Sequence, residues 1–170
     1  NTLLLHQKGW SGINIDPSSF SIDLFNFARP NDSNYNLAIS DKNEFVNLYY
    51  SKSYDQLATA DKKFLKFHFK EKKIRYFKKR VKAKKLSVVI DESQFNGKKI
   101  DLLNVDVQGY ELKVLKSLDF KKYNPLTICI EIEQIKKNFN SRQTKIYKYL
   151  KKKNYVKKWS GINTHIFKKT

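Results

Sequence analysis

The sequence contains little sulfur: Cys129 is its single cysteine, and methionine is absent. One cysteine excludes an internal disulfide, so the reducing cytoplasm is the expected location. Cys129 lies in the apolar run of residues 127–130, which favours a small buried hydrophobic side chain. Long hydrophobic runs are also missing, and none approaches the ~20 residues that cross a bilayer. The sequence therefore predicts no membrane span.

Acidic residues are scarce as well. Asp and Glu total 16 against 35 Lys and Arg, which gives a net charge of +19. Such a charge is compatible with a nucleic acid, an anionic surface or an acidic substrate as partner. Lysine is spread over almost every segment, however, which also fits compositional drift without a dedicated polyanion site. The length of 170 residues and the 40% hydrophobic content predict one globular domain and exclude disorder.

Histidine is the third scarce residue, with three copies that form no recognisable motif. No metal-ligand spacing is present, so no metal is predicted. His165 lies in the last predicted strand without an orienting partner nearby in sequence. We therefore interpret it as structural and not catalytic.

Residues 100–118 contain the clearest change of period in the chain. Residues 100–107 are apolar and rich in branched side chains, as in a short strand buried on both faces of a parallel sheet. Gly109 marks the switch to a helix, whose apolar positions are Leu112, Leu115 and Leu118. Asp106 is thereby placed at the carboxyl end of a central strand, where α/β sheets bind ligands. Its carboxylate is either a functional group or a helix N-cap.

A second acid occupies the same kind of position near the start of the chain. Residues 13–16 alternate as a short strand that ends on Asp16, and Pro17 suits the first turn of a helix. That helix is predicted to run to about Arg29, with an apolar face formed by Phe20, Leu24 and Phe27. The Asp16 carboxylate either accepts hydrogen bonds from the paired hydroxyls of a ribose or caps the helix.

The other patterns alternate between helices and strands. Residues 44–50 are predicted as the second arm of a hairpin, and two acids, Glu131 and Glu133, lie at the end of a later strand. Gly9 is expected to stop a first helix, and Gly161 to form the turn of a terminal hairpin. Together the patterns predict strands over 35–40, 44–50, 126–132, 155–159 and 164–168, and helices over 1–8 and 144–153. This order indicates an α/β fold that ends in an antiparallel hairpin.

Residues 62–85 form the most basic stretch, with Glu71 as its only acid. Apolar residues recur in it at three- and four-residue steps, which predicts an amphipathic helical insertion, as one helix or two short ones. Basic and aromatic side chains together are typical of grooves for single-stranded nucleic acid. Aromatic residues at helical spacing are also typical of core anchors beneath a solvated charged face. Both interpretations stay open at this point.

Several blocks of the sequence follow one known pattern. Residues 9–17 have the sequence GWSGINIDP, and residues 100–115 have the sequence IDLLNVDVQGYELKVL. These blocks resemble the G-W-x-G-x-x-[IV]-[DE]-P and [LI]-[KD]-[LI]-D-[VI]-E-G-x-E-x-x-V-L segments of FkbM-type methyltransferases. Residues 38–40, 123–125 and 161–163 also fit that family. The resemblance covers nearly the whole chain in the right order.

The resemblance implies a Rossmann-like class I methyltransferase fold. Its sheet would be mostly parallel, with helices on both sides and a C-terminal antiparallel β-hairpin. The resemblance also implies methyl transfer from S-adenosylmethionine, usually to an oxygen. Asp16, with Pro17 beside it, would bind the ribose hydroxyls of this cofactor, and Ala38 and Ile39 would lie near its adenine.

The same resemblance assigns roles around the second acid. Asp106 would lie beside the reactive methyl group and the incoming substrate. It is the candidate base that removes the proton of an oxygen nucleophile, with Glu131 as the reserve. Gln108, Gly109 and Glu111 match positions of the same block and are assigned to substrate binding.

Two departures from the family pattern bear on these roles. Gln108 stands where the family has an acid, and the loss of that charge either alters substrate or metal binding or is neutral. The family's glycine-rich loop and first strand, which would precede Asn1, are absent from the sequence. That strand would lie between those that carry Asp16 and Asp106, and without it two inner strands have unpaired edges. Residues 1–170 are therefore expected to be a single methyltransferase domain from a longer enzyme.

Three hypotheses for function follow. The leading one is an O-methyltransferase that acts on a small molecule or a glycan. The second is an RNA methyltransferase that uses residues 62–85 to guide phosphates, for which affinity would fall steeply with salt. The third is a non-catalytic basic module that binds anions and no cofactor.

Overall fold

The computed structural model of the chain describes residues 2–53, 55–132 and 144–170. Helices and strands alternate along it, so the fold is mixed α/β. The helices are α1 (Leu3–Gln7), α2 (Ser19–Ala28), α3 (Lys62–Leu65), a π-helical turn that continues α3 (Lys66–Lys70), α4 (Leu86–Asp91), α5 (Glu111–Ser117) and α6 (Lys145–Lys152). The strands are β1 (Ile13–Ile15), β2 (Ser33–Tyr35), β3 (Ala38–Ile39), β4 (Glu44–Tyr50), β5 (Phe77–Lys84), β6 (Leu102–Val105), β7 (Thr127–Glu131), β8 (Tyr155–Ser160) and β9 (Thr164–Lys169).

The described strands form three small sheets. β1 pairs in parallel with β2, and β5 lies between a parallel β3 and an antiparallel β4. The third sheet has the order β6-β7-β9-β8, in which β6 and β7 are parallel and β9 is antiparallel to both of its neighbours. The C-terminal antiparallel hairpin is therefore confirmed. The single, mostly parallel sheet is not, because the sheets are small, mixed and separate.

The main core lies where the third sheet packs against three helices. Residues that are 0% exposed in this core include Val89 of α4, Leu115 of α5, Leu150 of α6, Ile128 and Ile130 of β7, and Phe167 of β9. Burying each of these side chains stabilises the fold by about 1.5–3 kcal/mol. This layer fixes β6 and β7, and so it fixes the acids at the ends of those strands.

Helix α2 forms where the sequence predicts it, but its start and its packing differ from the prediction. Ser18 is the N-cap and accepts a hydrogen bond from the amide of Ser21, so Pro17 precedes the helix instead of occupying its first turn. The predicted apolar face is exposed, at 48%, 51% and 88% for Phe20, Leu24 and Phe27. Spacing predicted the helix correctly, but Leu24 and Phe27 stay largely exposed instead of being buried in the core.

The prediction of a helical insertion over residues 62–85 is correct only in its first part. Helix α3 and the π-helical turn end at Lys70, and residues 77–84 form strand β5. Val81 and Ala83 are buried, at 7% and 1% exposure, while the intervening Lys82 is exposed. This period of two is typical of a strand with one buried face. Pairing with β4 decides the outcome, because the same apolar residues also fit a helical period.

β4 covers the predicted residues 44–50, but the predicted hairpin is wrong. β4 pairs with β5, and residues 35–40 divide between the end of β2 and the short strand β3. The terminal hairpin, helix α6 and the helix stop at Gly9, which has φ +85°, are confirmed. Glu133 lies outside the described residues. None of the helices in the described ranges has the length and apolar character needed to cross a bilayer.

Candidate functional site

A cavity of about 1170 Å³ lies between β1 and β6. Small molecules and cofactors bind in cavities of roughly 300–1,000 Å³, so this space is large enough for a cofactor together with a second ligand. Residues from the ends of four strands meet here although they are far apart in sequence. Those that the sequence predicted for a site and that line the cavity are Asp16, Pro17, Ala38, Ile39, Asp106, Gln108 and Glu131.

Asp16 directly follows β1, and its backbone is fixed by the neighbouring strand β2. Its amide donates to the carbonyl of Tyr35 at 3.2 Å, and its Oδ1 accepts the amide of Ser18 at 2.7 Å. Ser18 is the cap of α2, so the alternative role of Asp16 as N-cap is not what the structure shows. Burial raises the pKa of Asp16, and hydrogen bonds from Ser18 and Ser21 oppose this rise. The carboxyl group is thus held in a partly desolvated wall of the cavity.

Ala38 and Ile39 form an apolar part of the cavity wall. Each is 8% exposed, and β5 fixes their backbone through the pairs Ala38↔Ala83 and Ile39↔Lys84. Ile39 also belongs to the main core. A small, buried apolar surface of this kind suits the flat face of an aromatic ring.

Three polar side chains converge where β6 and β7 end. The Gln108 amide Nε2 donates to Asp106 Oδ1 at 2.7 Å and to Glu131 Oε2 at 2.8 Å. The side chains of Asp106 and Glu131 also share a hydrogen bond. Burial and the neighbouring Asp106 carboxyl raise the pKa of Glu131 to about 7, and the Gln108 amide opposes this rise. A carboxyl group with this pKa exchanges protons near neutral pH.

Glu111 and Gly109, also predicted as substrate-binding residues, do not line the cavity. Glu111 is 7% exposed, and its Oε1 accepts the amides of Val107 at 3.3 Å and Gly109 at 3.0 Å. Burial raises its pKa, and these amide bonds oppose the rise. A Cβ placed on Gly109 would lie 2.9 Å from Asp61 Cβ. Both residues therefore shape the loop that carries Asp106 and Gln108.

The cavity separates two strand edges. Among the described strands, β1 pairs with β2 alone and β6 pairs with β7 alone. Ile13–Ile15 and residues 102–105 both line the cavity. Backbone groups along such edges have no strand partner. The sheets of β1 and β6 thus both border the cavity without pairing with each other.

His165 and Cys129 lie outside the cavity lining. His165 is 2% exposed, its Nδ1 lies 2.6 Å from Ser160 Oγ, and burial lowers its pKa. Cys129 is partly buried in β7, and burial raises the pKa of its thiol. Both arrangements fit structural roles. Within the described ranges, no group of three or more His, Cys, Asp or Glu residues could hold a metal ion.

Sequence reasoning missed two residues that organise the site. Asp32 accepts the amide of Gly12 at 2.9 Å and the side-chain amide of Asn14 at 2.9 Å, which holds β1 in place. Thr59 donates to the carbonyl of Gln108 at 2.6 Å. Asp32 lies in a stretch with strong turn signals, which hid its role. Thr59 carries no local signal, because its contact spans 49 residues.

Acids at the ends of β1, β6 and β7 thus converge on one cavity, an arrangement typical of α/β domains that bind ligands at their strand ends. Within that class, the chain belongs to the FkbM methyltransferases. The family model of the methyltransferase FkbM domain matches residues 1–157, which confirms the family resemblance. Neither the curated proteins nor the solved structures contained a significant match.

Proposed function

We propose that the chain is the catalytic domain of an S-adenosylmethionine-dependent methyltransferase that acts on an oxygen of a small molecule or glycan. Membership of the family supports methyl transfer as the class of reaction. One observation carries the rest: a single cavity is lined by Asp16, by the apolar pair Ala38 and Ile39, and by the carboxyl pair Asp106 and Glu131. These are the kinds of groups that a nucleoside-like cofactor and a hydroxyl acceptor need.

The residues present fit S-adenosylmethionine. A carboxylate at a strand end binds ribose hydroxyls in many α/β folds, and Asp16 supplies one. Ala38 and Ile39 supply an apolar surface for an adenine. S-Adenosylmethionine, when bound, supplies a methyl group on a positively charged sulfur. The acids Asp106 and Glu131 favour a cation in their neighbourhood.

The carboxyl pair supplies the proton chemistry in this proposal. A hydroxyl acceptor must lose its proton as its oxygen forms the new bond to carbon. Glu131, with its pKa raised to about 7, is matched to accept that proton near neutral pH. Asp106 lies beside it and orients the hydroxyl group. Gln108 holds both carboxyl groups in place, so that alignment of the reactants is built in.

We further propose that residues 1–170 form one methyltransferase domain of a longer enzyme, in which an additional strand lies between β1 and β6. The open edges of these strands, both of which border the cavity, support this placement, since a strand there would pair with both. The exposed side chains of Leu24 and Phe27 agree with further chain packing on α2. A transcript with an in-frame stop immediately upstream of Asn1 would contradict the additional strand.

RNA as the methyl acceptor is the second candidate, and one surface favours it. Lys78, Arg80 and Lys82 lie on the exposed face of β5, opposite the face of buried Val81. The guanidinium of Arg80 lies 4.6 Å from the ring centroid of the 59% exposed Phe45 on β4. Cations beside exposed aromatic rings are typical of surfaces for single-stranded RNA.

Calorimetric binding of S-adenosylhomocysteine, the demethylated cofactor, tests the proposed function. The ligand is titrated into residues 1–170 and into the chain extended upstream, each beside Asp16→Ala. Asp23→Ala is the matched control, because Asp23 is an exposed acid of α2 that does not line the cavity. We expect the extended chain to bind, Asp16→Ala to weaken binding at least about tenfold, and the control to bind normally. A folded extended chain without binding would contradict the proposal and favour a non-catalytic anion-binding module.

A further inference from the structure

The loop between β6 and α5 contains two consecutive residues with left-handed backbone. Gln108 has φ +51° and Gly109 has φ +100°. Glycine adopts such values freely, whereas a residue with a side chain holds them only when surrounding contacts impose them. The backbone of Gln108 is therefore set by its neighbours.

Two side chains hold this loop from different parts of the chain. Glu111, at the start of α5, accepts the amides of Val107 and Gly109, which flank Gln108. Thr59 lies 49 residues earlier, and its Oγ1 donates to the carbonyl of Gln108 itself at 2.6 Å. Thr59 is 1% exposed, so water does not compete for this hydrogen bond.

Thr59 is itself fixed in position. Its backbone amide donates to Tyr49 of β4 at 2.9 Å, and its carbonyl accepts the amide of Tyr49 at 2.8 Å. Its Oγ1 accepts the amide of Asp61 at 2.9 Å. Since the Gln108 carbonyl can only accept and the Asp61 amide can only donate, the hydroxyl proton is directed to Gln108. The Thr59 hydroxyl is thus a rigid donor and does not follow movements of the loop.

The same turn packs on the next residue of the loop. Asp61 caps α3 through the amides of Lys63 and Phe64, each at 2.8 Å. A Cβ on Gly109 would lie 2.9 Å from Asp61 Cβ and 3.3 Å from Phe64 Cβ. The contact between residues 59–64 and the loop is therefore close and leaves little room for another loop conformation.

The conformation imposed on Gln108 has a direct effect at the site. With its carbonyl bonded to Thr59, its side-chain amide lies between the two carboxyl groups, 2.7 Å from Asp106 Oδ1 and 2.8 Å from Glu131 Oε2. We propose that Thr59 is a positioning residue, whose hydroxyl holds Gln108 so that its amide joins Asp106 to Glu131. The role of this arrangement in catalysis rests on the proposed function, whereas the hydrogen bonds themselves are independent of it.

Carboxyl titration in the full chain tests the proposal. The Gln108 amide lowers the pKa of Glu131, while burial and the carboxyl groups of Asp106 and Glu111 raise it. Thr59→Val removes the hydroxyl at nearly constant volume, and we expect the pKa of Glu131, followed by carbon-13 NMR, to rise by on the order of half a unit or more. Thr59→Ser, which keeps the hydroxyl, is expected to restore the original titration.

Tyr155→Phe is the matched control. Tyr155 is 2% exposed, and its hydroxyl donates to the carbonyl of Pro125 at 2.6 Å, so this variant also loses a buried hydroxyl-to-carbonyl hydrogen bond. We expect it to lower stability without changing the Glu131 titration. An unchanged Glu131 titration in Thr59→Val, or an equal change in Tyr155→Phe, would overturn the proposal.

A measurement on the unsubstituted protein covers the case in which Thr59→Val does not fold. The buried, bonded hydroxyl proton of Thr59 is expected to exchange slowly and to give its own NMR signal with a cross-peak to the Gln108–Gly109 segment. A hydroxyl proton in fast exchange with water would overturn the contact. Neither readout involves cofactor or methyl transfer, so failure here and failure of S-adenosylhomocysteine binding are separate results.

Discussion

Asp106 and Glu131 end the adjacent parallel strands β6 and β7, and their side chains share a hydrogen bond. The register pairs Val105 with Ile130, so the two acids occupy the next position along the strands. Carboxyl groups at this separation resist simultaneous ionisation and titrate as a pair. The strand register therefore brings together the two carboxyl groups that the proposed reaction needs.

Glu131→Gln is predicted to make stability less dependent on pH. The pKa of Glu131 is raised to about 7 from its ordinary value of 4.5, so the folded state binds more protons than the unfolded state between these values. The protein consequently loses stability as pH rises from 4.5 to 7, and the variant lacks this loss. The difference in free energy of unfolding between variant and parent protein, measured by urea unfolding, should shift in favour of the variant by about 1–2 kcal/mol from pH 4.5 to pH 8. This figure is discounted for the partial exposure of Glu131.

Glu71→Gln is the control for that measurement, because Glu71 is exposed and does not line the cavity. We expect the free energy of unfolding of Glu71→Gln to differ from that of the parent protein by the same small amount at both pH values. A Glu131→Gln difference that is equally independent of pH would show that the carboxyl pair does not hold an extra proton.

Gly109→Ala is predicted to destabilise the fold by about 2–4 kcal/mol. The new Cβ combines left-handed strain with overlap against Asp61, and each effect costs about 1–2 kcal/mol. Gly97→Ala is the matched control, since Gly97 has φ +73° but open space around its Cα. Gly97→Ala should be destabilised by backbone strain alone, which lowers its free energy of unfolding by about 1 kcal/mol. Equal losses in urea unfolding would mean that the turn at Asp61 does not pack against the loop.

The exposed face of β5 is predicted to bind single-stranded RNA if RNA is the acceptor. The double variant Arg80→Ala, Lys82→Ala should bind a labelled oligouridylate more weakly. The slope of log affinity against log salt concentration should become shallower by about 1.4, because each lost phosphate contact removes ~0.7 from it. Fluorescence anisotropy at several salt concentrations measures both. The control removes the exposed Lys151 and Lys152 of α6, with the same loss of charge. Equal effects of the two double variants would indicate general attraction to a basic protein.

The strand ends of the site were predictable because their signals are local. A short apolar run followed by an acid predicts both the strand and the placement of Asp106 or Asp16 at its carboxyl end. Family resemblance then assigned the same residues, and seven of those assigned line one cavity. Their individual roles stay predictions.

Features that depend on distant contacts were not predictable. Residues 77–84 carry apolar side chains that fit either period, and only pairing with β4 makes them a strand. Pro17 has the right backbone for a first helical turn, but Ser18 competes successfully as the cap. The contact of Thr59 with Gln108 joins segments 49 residues apart, and nothing in its local sequence marks it.

The space between β1 and β6 has a consequence for the rate at which backbone amides exchange with deuterium. Amides of β6 that bond to β7 are protected by the main core, whereas those that point toward β1 have no partner among the described strands. One strand should therefore show alternating slow and fast exchange along four residues, Leu102–Val105. If a cofactor or an additional strand occupied the space, the fast-exchanging amides of β6 would exchange slowly. Deuterium exchange would then show which residues of β6 are contacted.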